Sequence, residues 1–245
     1  MILNLKFKKI SLLILSGFVS CSVISQNTAS MKVSKSTSSD TVKIKLPKPS
    51  LKGTISVEQA LSKRRSVREY KDTSLTLQEV SQILWSAYGI TDTIKDKGIG
   101  LHTAPSAMAI YPLTIYLVAG KVKDFPAGIY RYNPKGHFLV LLKSGDFRSD
   151  LSTASYSQKM IKDAPIDIVY SADTVLMTKK FGEKNGMSLI NLDLGHSAEN
   201  VYLQATAIGL GTCAVGGFNA SQVSSVIKML ANEKTVYLMP VGKIK

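Results

Sequence analysis

An arginine-rich segment near residue 65 carries the first chemistry that the sequence suggests. It reads Lys-Arg-Arg-Ser-Val-Arg-Glu-Tyr from Lys63 to Tyr70, so three guanidinium groups and a hydroxyl lie within five residues. Guanidinium groups are permanently charged forks of donors that match the oxygens of a phosphate group. The segment therefore predicts a phosphate site, and the alternative interpretation is a solvated basic turn.

Two segments of small residues could complete a site with these arginines. Thr103-Ala104-Pro105-Ser106-Ala107 reads as a loop before Tyr111-Pro112, and Gly209 to Phe218 contains the pair Gly216-Gly217. The second segment lacks the Gly-x-Gly-x-x-Gly spacing of a dinucleotide fingerprint, which argues against a Rossmann fold. Paired glycines after a buried strand permit a flat ring system to approach the backbone closely, and the alternative is a turn with positive φ.

The cysteines and histidines do not indicate metal or nucleophilic chemistry. The chain has only two cysteines, Cys21 and Cys213, and its three histidines have no metal-ligand spacing. No pattern supplies a nucleophile, a base and a third group that would orient the base. We therefore expect no metal site and no catalytic side chain of this kind.

The first 25 residues have the layout of an export signal. Three lysines precede an apolar run, Ile10 to Val19, that is too short to span a bilayer comfortably. Phe18-Val19-Ser20-Cys21 resembles a bacterial lipobox, in which Cys21 would be lipidated and anchor the protein to a membrane. Ordinary signal cleavage before Gln26 and an uncleaved N-terminal anchor are the alternatives. The prediction is an exported protein of the cell envelope or periplasm, and an anchor that leaves the domain facing inward is the remaining alternative.

The net charge divides unevenly between a tether and a folded domain. Residues 26–55 are rich in Ser, Thr and Lys and are expected to form a basic tether. Residues 56–245 are expected to form one folded domain and carry only +6 of the net charge of +14. This distribution argues against nucleic-acid binding by the domain and fits a basic tether near an anionic membrane.

The hydrophobic spacing predicts helices and strands mixed without strict βαβ alternation, which is typical of an α+β fold. The clearest helix begins at the capping box Thr76–Glu79 and ends at Gly89. Apolar residues at helical spacing between Leu194 and Ile208 predict a second helix. Further expected elements are a loop over 90–102, helices over about 146–161 and 219–230, a hairpin of 128–132 with 137–142, and strands at 112–118, 166–170, 212–215 and 235–241.

Taken together, five segments in order resemble the nitroreductase family of FMN flavoproteins, most closely its branch related to the SagB and thiazole-oxidising dehydrogenases. The resemblance covers residues 56–245. The segments are Arg64–Tyr70, Leu84–Gly89, Thr103–Ala107 with Tyr111–Leu113, Gly195–Ala205 with Ile208–Gly211, and Val215–Phe218 with Pro240–Lys243. The resemblance implies a three-layer α/β/α sandwich with a mainly antiparallel central sheet, built as a homodimer whose flavin sites lie at the subunit interface.

The resemblance assigns the basic residues to the flavin and its phosphate. Arg64, Arg65 and Ser66 would hold the FMN phosphate and ribityl chain. Arg68 matches the position near the pyrimidine end of the flavin, where a positive charge favours the anionic reduced form. Lys243 would supply a further phosphate contact.

The resemblance also assigns the small residues. Pro105, Ser106 and Ala107 match a loop that reaches the flavin of the partner subunit. Gly216 and Gly217 match the loop whose backbone N–H faces flavin N5, the atom that exchanges hydride. The Lys-Tyr catalytic pair of the azoline-oxidising branch has no match in this sequence, which argues against azoline oxidation.

The implied activity is that of an FMN-dependent oxidoreductase with ping-pong kinetics. Two electrons would pass through flavin N5 from a small-molecule donor to a small acceptor, such as a nitro compound or a quinone. Because the flavin carries this chemistry, no catalytic side chain is expected. Two other hypotheses are a flavin-binding or scavenging lipoprotein without turnover, and a membrane-tethered interaction protein without flavin.

Overall fold

The computed structural model describes residues 42–245. A seven-stranded sheet has helices on both faces, and a hairpin forms a separate two-stranded sheet. The elements in chain order are β1 (Lys43–Lys45), α1 (Val57–Lys63), α2 (Leu77–Tyr88), β2 (Ile90–Ile94), β3 (Ile99–His102), β4 (Leu113–Ala119), β5 (Gly128–Asn133), β6 (Phe138–Ser144), α3 (Arg148–Ala154), α4 (Lys159–Asp163), β7 (Ile166–Asp173), α5 (Thr174–Phe181), α6 (Glu183–Ala207), β8 (Leu210–Thr212), α7 (Ala220–Ile227) and β9 (Glu233–Lys243).

The seven-stranded sheet has the order β1-β6-β5-β4-β7-β9-β8, so β1 and β8 are its two edges. Each pair of neighbouring strands is antiparallel. Side chains of a strand alternate between faces, and in β4 Ile115 and Leu117 belong to one buried core while Tyr116 and Val118 belong to the other. The sheet is therefore buried on both sides.

The helices divide between these two cores. The larger core contains Ile83 and Leu84 of α2 with Ile190 of α6. The smaller core contains Leu151 of α3 and Val223 of α7 on the opposite face of the sheet. The expected α+β fold with three layers and a mainly antiparallel sheet is confirmed.

Local sequence signals explain the best-predicted helices. Thr76 accepts a hydrogen bond from the Glu79 backbone N–H, and the Glu79 side chain accepts one from the Thr76 N–H, so the capping box is complete. The helix ends where expected, at Tyr88. The long helix α6 begins after Gly182 and ends before Gly209, and both glycines have a positive φ, 76° and 75°.

The expected tether ends earlier than residue 55. Lys43–Lys45 forms β1 and pairs with β6, and Leu46 is buried in the larger core. The short strand was not expected because its Lys-Ile-Lys pattern exposes two of three side chains. We refer to residues 42–53 as the strap. The expected signal, Cys21 and the first part of the tether lie outside the described residues.

Two other expectations differ from the structure. The helix expected over 146–161 is two short helices, α3 and α4, because Tyr156 and Ser157 between them have positive φ values of 56° and 57°. The loop expected over 90–102 forms the hairpin of β2 and β3, and α5 was not expected. Within residues 42–245, no helix has both the length and the apolar character needed to cross a membrane.

Candidate cofactor site

The arginine-rich segment lies along the β8 edge of the sheet. Helix α1 ends at Lys63, and the chain then becomes extended, so that Ser66 forms a parallel bridge with Thr212. The Val67 N–H donates to the Thr212 carbonyl at 2.8 Å. A Cβ on Gly211 would lie 2.7 Å from the Cβ of Val67, so this close approach requires glycine. The pairing brings the arginines next to the strand that leads to the glycine pair.

Tyr202 of α6 connects these two segments. Its hydroxyl lies 3.2 Å from Ser66 Oγ and accepts a hydrogen bond from the Ala214 backbone N–H at 2.7 Å. The guanidinium carbon of Arg64 lies 5.2 Å from the centre of the Tyr202 ring, within the range of a cation–π contact. Sequence reasoning gave Tyr202 no role. Helical spacing places Tyr202 on the core-facing side of α6, and a buried tyrosine hydroxyl needs a hydrogen-bond partner. That requirement was the available signal for its role.

The arginines present donors to solvent. Arg65 and Arg68 are exposed, and Arg64 is half-buried. Arg64 Nε lies 3.9 Å from Glu199 Oε1, which is long for an ion pair between partly exposed groups. Arg65 uses Nη1 to donate to the carbonyls of Ser62 and Arg64 at 3.1 and 2.7 Å. Since a guanidinium has five N–H donors, most of the segment's donors remain open to an anion.

The glycine pair follows this site directly. Neither Gly216 nor Gly217 has a positive φ, so the alternative explanation for the pair, a turn with positive φ, is wrong. A Cβ on Gly216 would meet Tyr237 only at 3.8 Å, and one on Gly217 would meet Tyr156 at 4.0 Å. Both distances are ordinary contacts, so the chain itself does not require glycine here. Because glycine has no side chain, both positions leave room for another group to approach the backbone.

The turn between α3 and α4 supports the glycine loop. The Gln158 side-chain amide donates to the Gly217 carbonyl at 2.7 Å and to the Ser155 carbonyl at 2.9 Å. Sequence reasoning assigned these residues to one continuous helix and therefore missed this contact. The left-handed residues that break the helix are the feature that brings Gln158 to the loop.

Lys243 lies one strand away from the arginine segment. It is on β9, where it pairs with Leu210, and its Nζ lies 3.9 Å from Glu79 Oε1 at the start of α2. The Lys71 N–H donates to the Lys243 carbonyl at 2.9 Å. The Lys243 charge thus faces Glu79 at the same long distance as Arg64 faces Glu199, and its expected contact with the phosphate stays a prediction.

The loop of small residues is held against the first half of α6. Ser106 Oγ donates to Asp193 Oδ2 at 2.6 Å, and the Ala107 N–H lies 3.4 Å from Asp193 Oδ1. Ser106 Oγ also accepts from the Tyr111 N–H at 2.9 Å. Burial raises the pKa of Asp193, and the hydrogen bond from Ser106 opposes that rise. Asp193 thus fixes the end of this loop.

The residues directly after this loop have a strained backbone, and the loop itself lies far from the arginines. Met108, Ala109 and Tyr111 have φ values of 53°, 54° and 54°, which non-glycine residues rarely adopt. Asp193 precedes Tyr202 by nine residues, about 13 Å along a helix axis. Within one chain, therefore, the structure does not bring Pro105, Ser106 and Ala107 to the arginine segment.

Comparison with known proteins identifies the fold and the family. The Nitroreductase family model matches residues 61–243. A Methanocaldococcus jannaschii protein that carries the name nitroreductase is 39% identical over 204 residues, which cover 83% of this chain and 98% of that protein. The trifolitoxin-processing protein TfxB of Rhizobium leguminosarum is 26% identical, over 63% of this chain and 43% of its own length.

A solved structure agrees with these sequence matches. A Ralstonia eutropha protein, also named as a nitroreductase, superposes with a TM-score of 0.71 and 28% identity, over 83% of this chain and 90% of that one. The matched region contains the arginine segment, the loop of small residues and the glycine pair. The chain belongs to the nitroreductase family.

Proposed function

We propose that the protein is an FMN-dependent oxidoreductase that transfers two electrons, in a ping-pong cycle, from a small-molecule donor to a nitro- or quinone-like acceptor. The observation that carries the proposal is the pairing of Ser66 with Thr212. It brings a cluster of open guanidinium donors beside a glycine loop with room against its backbone. These are the two surfaces that a phosphate and a flat ring require.

The residues present fit the cofactor that the family resemblance implies. Arg64, Arg65 and Ser66 would hold the phosphate, because they supply charged and neutral donors on one exposed edge. Gly216 and Gly217 would lie against the ring. When bound, FMN supplies the two-electron redox chemistry, and the protein supplies binding and orientation.

The proposal includes a homodimer. Asp193 holds Ser106 and Ala107 away from the arginines of their own chain, so these residues would serve the site of a second copy. Met108, directly after this loop, is 69% exposed, and Val57 on α1 is 64% exposed. Exposed apolar residues next to a functional loop support burial against another chain.

The substrate class follows the reductive members of the family. TfxB is named for the processing of trifolitoxin, which supports the relation to the SagB branch. Since the Lys-Tyr pair of the azoline-oxidising branch has no match here, we favour reduction of a small acceptor. We also propose that the protein is exported, because residues 1–25 combine lysines with a short apolar run, with Cys21 as the site of lipidation.

The test is the visible spectrum of the full-length protein. We expect a bound oxidised-flavin band that bleaches with a chemical reductant and returns on addition of a quinone under anaerobic conditions. The double variant Arg64→Ala, Arg68→Ala should lose the band. The matched variant Lys43→Ala, Lys135→Ala removes two exposed charges near β1, at the opposite edge of the sheet, and should keep it.

Two outcomes separate the functional hypotheses, and a third tests the role of the arginine segment. A wild-type protein that stays colourless with excess FMN would refute flavin binding and favour an interaction protein. A flavin band that bleaches but never passes electrons to any added acceptor would favour a binding or scavenging protein. Equal loss of flavin from both double variants would show that general charge, and not the arginine segment, holds the phosphate.

A further inference from the structure

One buried side chain touches both halves of the candidate site. Tyr202 is only 9% exposed, and its hydroxyl reaches Ser66 Oγ on one side and the Ala214 N–H on the other. Ser66 itself is exposed and lies among the arginines. Among residues 42–245, the Tyr202 hydroxyl is the hydrogen-bond partner of Ser66 Oγ, so it links the interior of the domain to the arginine segment.

One arrangement of donors and acceptors uses every proton of this link. A backbone N–H only donates, so the Tyr202 oxygen accepts from Ala214 at 2.7 Å. The Tyr202 proton is then free to be donated to Ser66 Oγ, 3.2 Å away. If Ser66 accepts from Tyr202, its own proton is free to point outward, toward the exposed edge. An anion there needs donors and no acceptors.

We propose that Tyr202 is a positioning residue that directs the Ser66 hydroxyl toward the cofactor phosphate, through the series Ala214 N–H to Tyr202 O–H to Ser66 O–H. This inference rests on the proposed function. Hydrogen bonds in series polarise one another, so the Ala214 N–H strengthens the donation that Ser66 makes. Tyr202 acts through Ser66 and does not itself need to touch the cofactor.

A purely structural role for the hydroxyl is the competing explanation. The Ala214 N–H needs a partner in either case, and a phenylalanine would leave it without one. A structural defect in this part of the chain would weaken the binding of every flavin alike. Loss of the series, in contrast, weakens only the contact with the phosphate. Riboflavin has the same ring as FMN and no phosphate, so it distinguishes these explanations.

The test compares the affinities of FMN and riboflavin for full-length Tyr202→Phe, measured by titration of flavin fluorescence on flavin-free protein. We expect the preference for FMN over riboflavin to fall about tenfold, the loss typical of one well-placed hydrogen bond to an anion. Tyr130→Phe is the matched control, because Tyr130 is fully buried in β5 and donates only to Pro126 O at 2.7 Å. It should keep the wild-type preference.

Ser66→Ala provides the second arm and keeps the proposal testable if Tyr202→Phe does not fold. Ser66 is exposed, so its replacement should not affect folding, and the preference for FMN should fall at least tenfold. Adding Tyr202→Phe to Ser66→Ala should lower the preference no further, because the series is already broken.

Several results would overturn the inference. Tyr202→Phe could weaken FMN and riboflavin by the same factor, Ser66→Ala could leave the preference unchanged, or the two changes could lower it independently. If the wild type binds riboflavin and FMN with equal affinity, the protein does not bind the phosphate, and the proposed role of the hydrogen-bond series is wrong. A wild type that binds neither flavin instead removes the proposed function, and the inference falls with it.

Discussion

The two edge strands of the seven-stranded sheet, β1 and β8, differ in what their surroundings leave open to solvent. At the β8 edge the arginine segment bridges Ser66 to Thr212 and Tyr70 to Ile244, and it keeps Arg65 and Arg68 exposed. At the β1 edge the strap adds a strand to β6 and buries Leu46. The β8 edge leaves guanidinium donors open to solvent, whereas the β1 edge uses its hydrogen-bonding groups within the chain.

The β1 edge is organised around His137. Its Nε2 lies 2.7 Å from Ser81 Oγ and 2.9 Å from the Pro47 carbonyl, and its Nδ1 lies 2.9 Å from the Tyr132 hydroxyl. The Gln82 side chain adds hydrogen bonds to the N–H and the carbonyl of Ser50. Every one of these polar atoms is paired within the fold, so we expect this edge to serve stability, whereas ligand binding is proposed for the other edge.

The largest expected effect breaks the β1 edge. Leu46→Ala should lower the free energy of unfolding by about 3 kcal/mol, because Leu46 is 3% exposed and packs in the larger core. Urea unfolding followed by circular dichroism measures this change. FMN affinity, measured below the unfolding transition, should stay within twofold of the wild type. A large loss of affinity with full stability would contradict the division between the edges.

The next effect sharpens the β8 edge. Gly216→Ala should weaken FMN binding at least tenfold, because a Cβ there occupies the room into which the flavin ring would fit. It should barely change stability, since its closest contact in the chain would be 3.8 Å. Gly53→Ala in the strap is the matched control, with a closest contact of 3.9 Å. Flavin titration measures the FMN affinity of both variants, and equal affinities would contradict the proposed position of the ring.

These edges also show what a sequence can reveal. The capping box at Thr76, the hairpin of β5 and β6, and the order of arginines and glycines rely on local residue types, and local rules predict them. A cluster of arginines beside a hydroxyl indicates an anion site from its residue types alone, whatever fold the chain adopts. The arginine segment and the glycine pair were therefore recognisable from the sequence, whereas the bridge between Ser66 and Thr212 was not.

What stayed hidden depends on partners distant in sequence. The Lys-Ile-Lys of β1 carries no strong strand pattern, and only pairing with Phe138–Val140 makes it a strand. Tyr202 and Ser66 are 136 residues apart, so helical spacing indicates a buried tyrosine but not what its hydroxyl contacts. The break at Tyr156 uses left-handed residues that are neither glycine nor proline. No local rule predicts such a position.

A smaller effect concerns the pH dependence of the β1 edge. Burial lowers the pKa of His137 from its ordinary value of 6.5. The folded protein then binds fewer protons at this site than the unfolded chain, so stability is lost as pH falls below about 6.5 and the loss ends below the folded-state pKa. His137→Gln should therefore lose less stability than the wild type when the pH falls from 7.5 to 5.

Urea unfolding midpoints at the two pH values measure this difference. FMN affinity at pH 7.5 should be the same in His137→Gln and the wild type, because His137 serves the opposite edge from the arginine segment. A variant with the full wild-type loss of stability would mean that His137 does not sense acid in this network. Burial also lowers the pKa of His102, so a part of the wild-type loss remains in the variant.

The smallest expected effect tests the electrostatics of the β8 edge. Glu199 Oε1 lies 3.9 Å from Arg64 Nε, and its carboxylate competes with a phosphate for the guanidinium. Glu199→Gln should strengthen FMN binding by about twofold to threefold, since the pair is partly exposed and such pairs contribute only about 0.5 kcal/mol. Asp163→Asn removes the same charge on α4, beside Lys159, and should have no effect.

Salt provides the decisive control for this last comparison. The gain from Glu199→Gln should be greatest at low ionic strength and should vanish near 1 M salt, where the Debye length falls to about 3 Å. Isothermal titration at two salt concentrations measures both limits. A gain that persists at high salt would mean that Glu199 blocks the site by its shape, whereas weaker binding would mean that Glu199 holds Arg64 in the orientation that the phosphate needs.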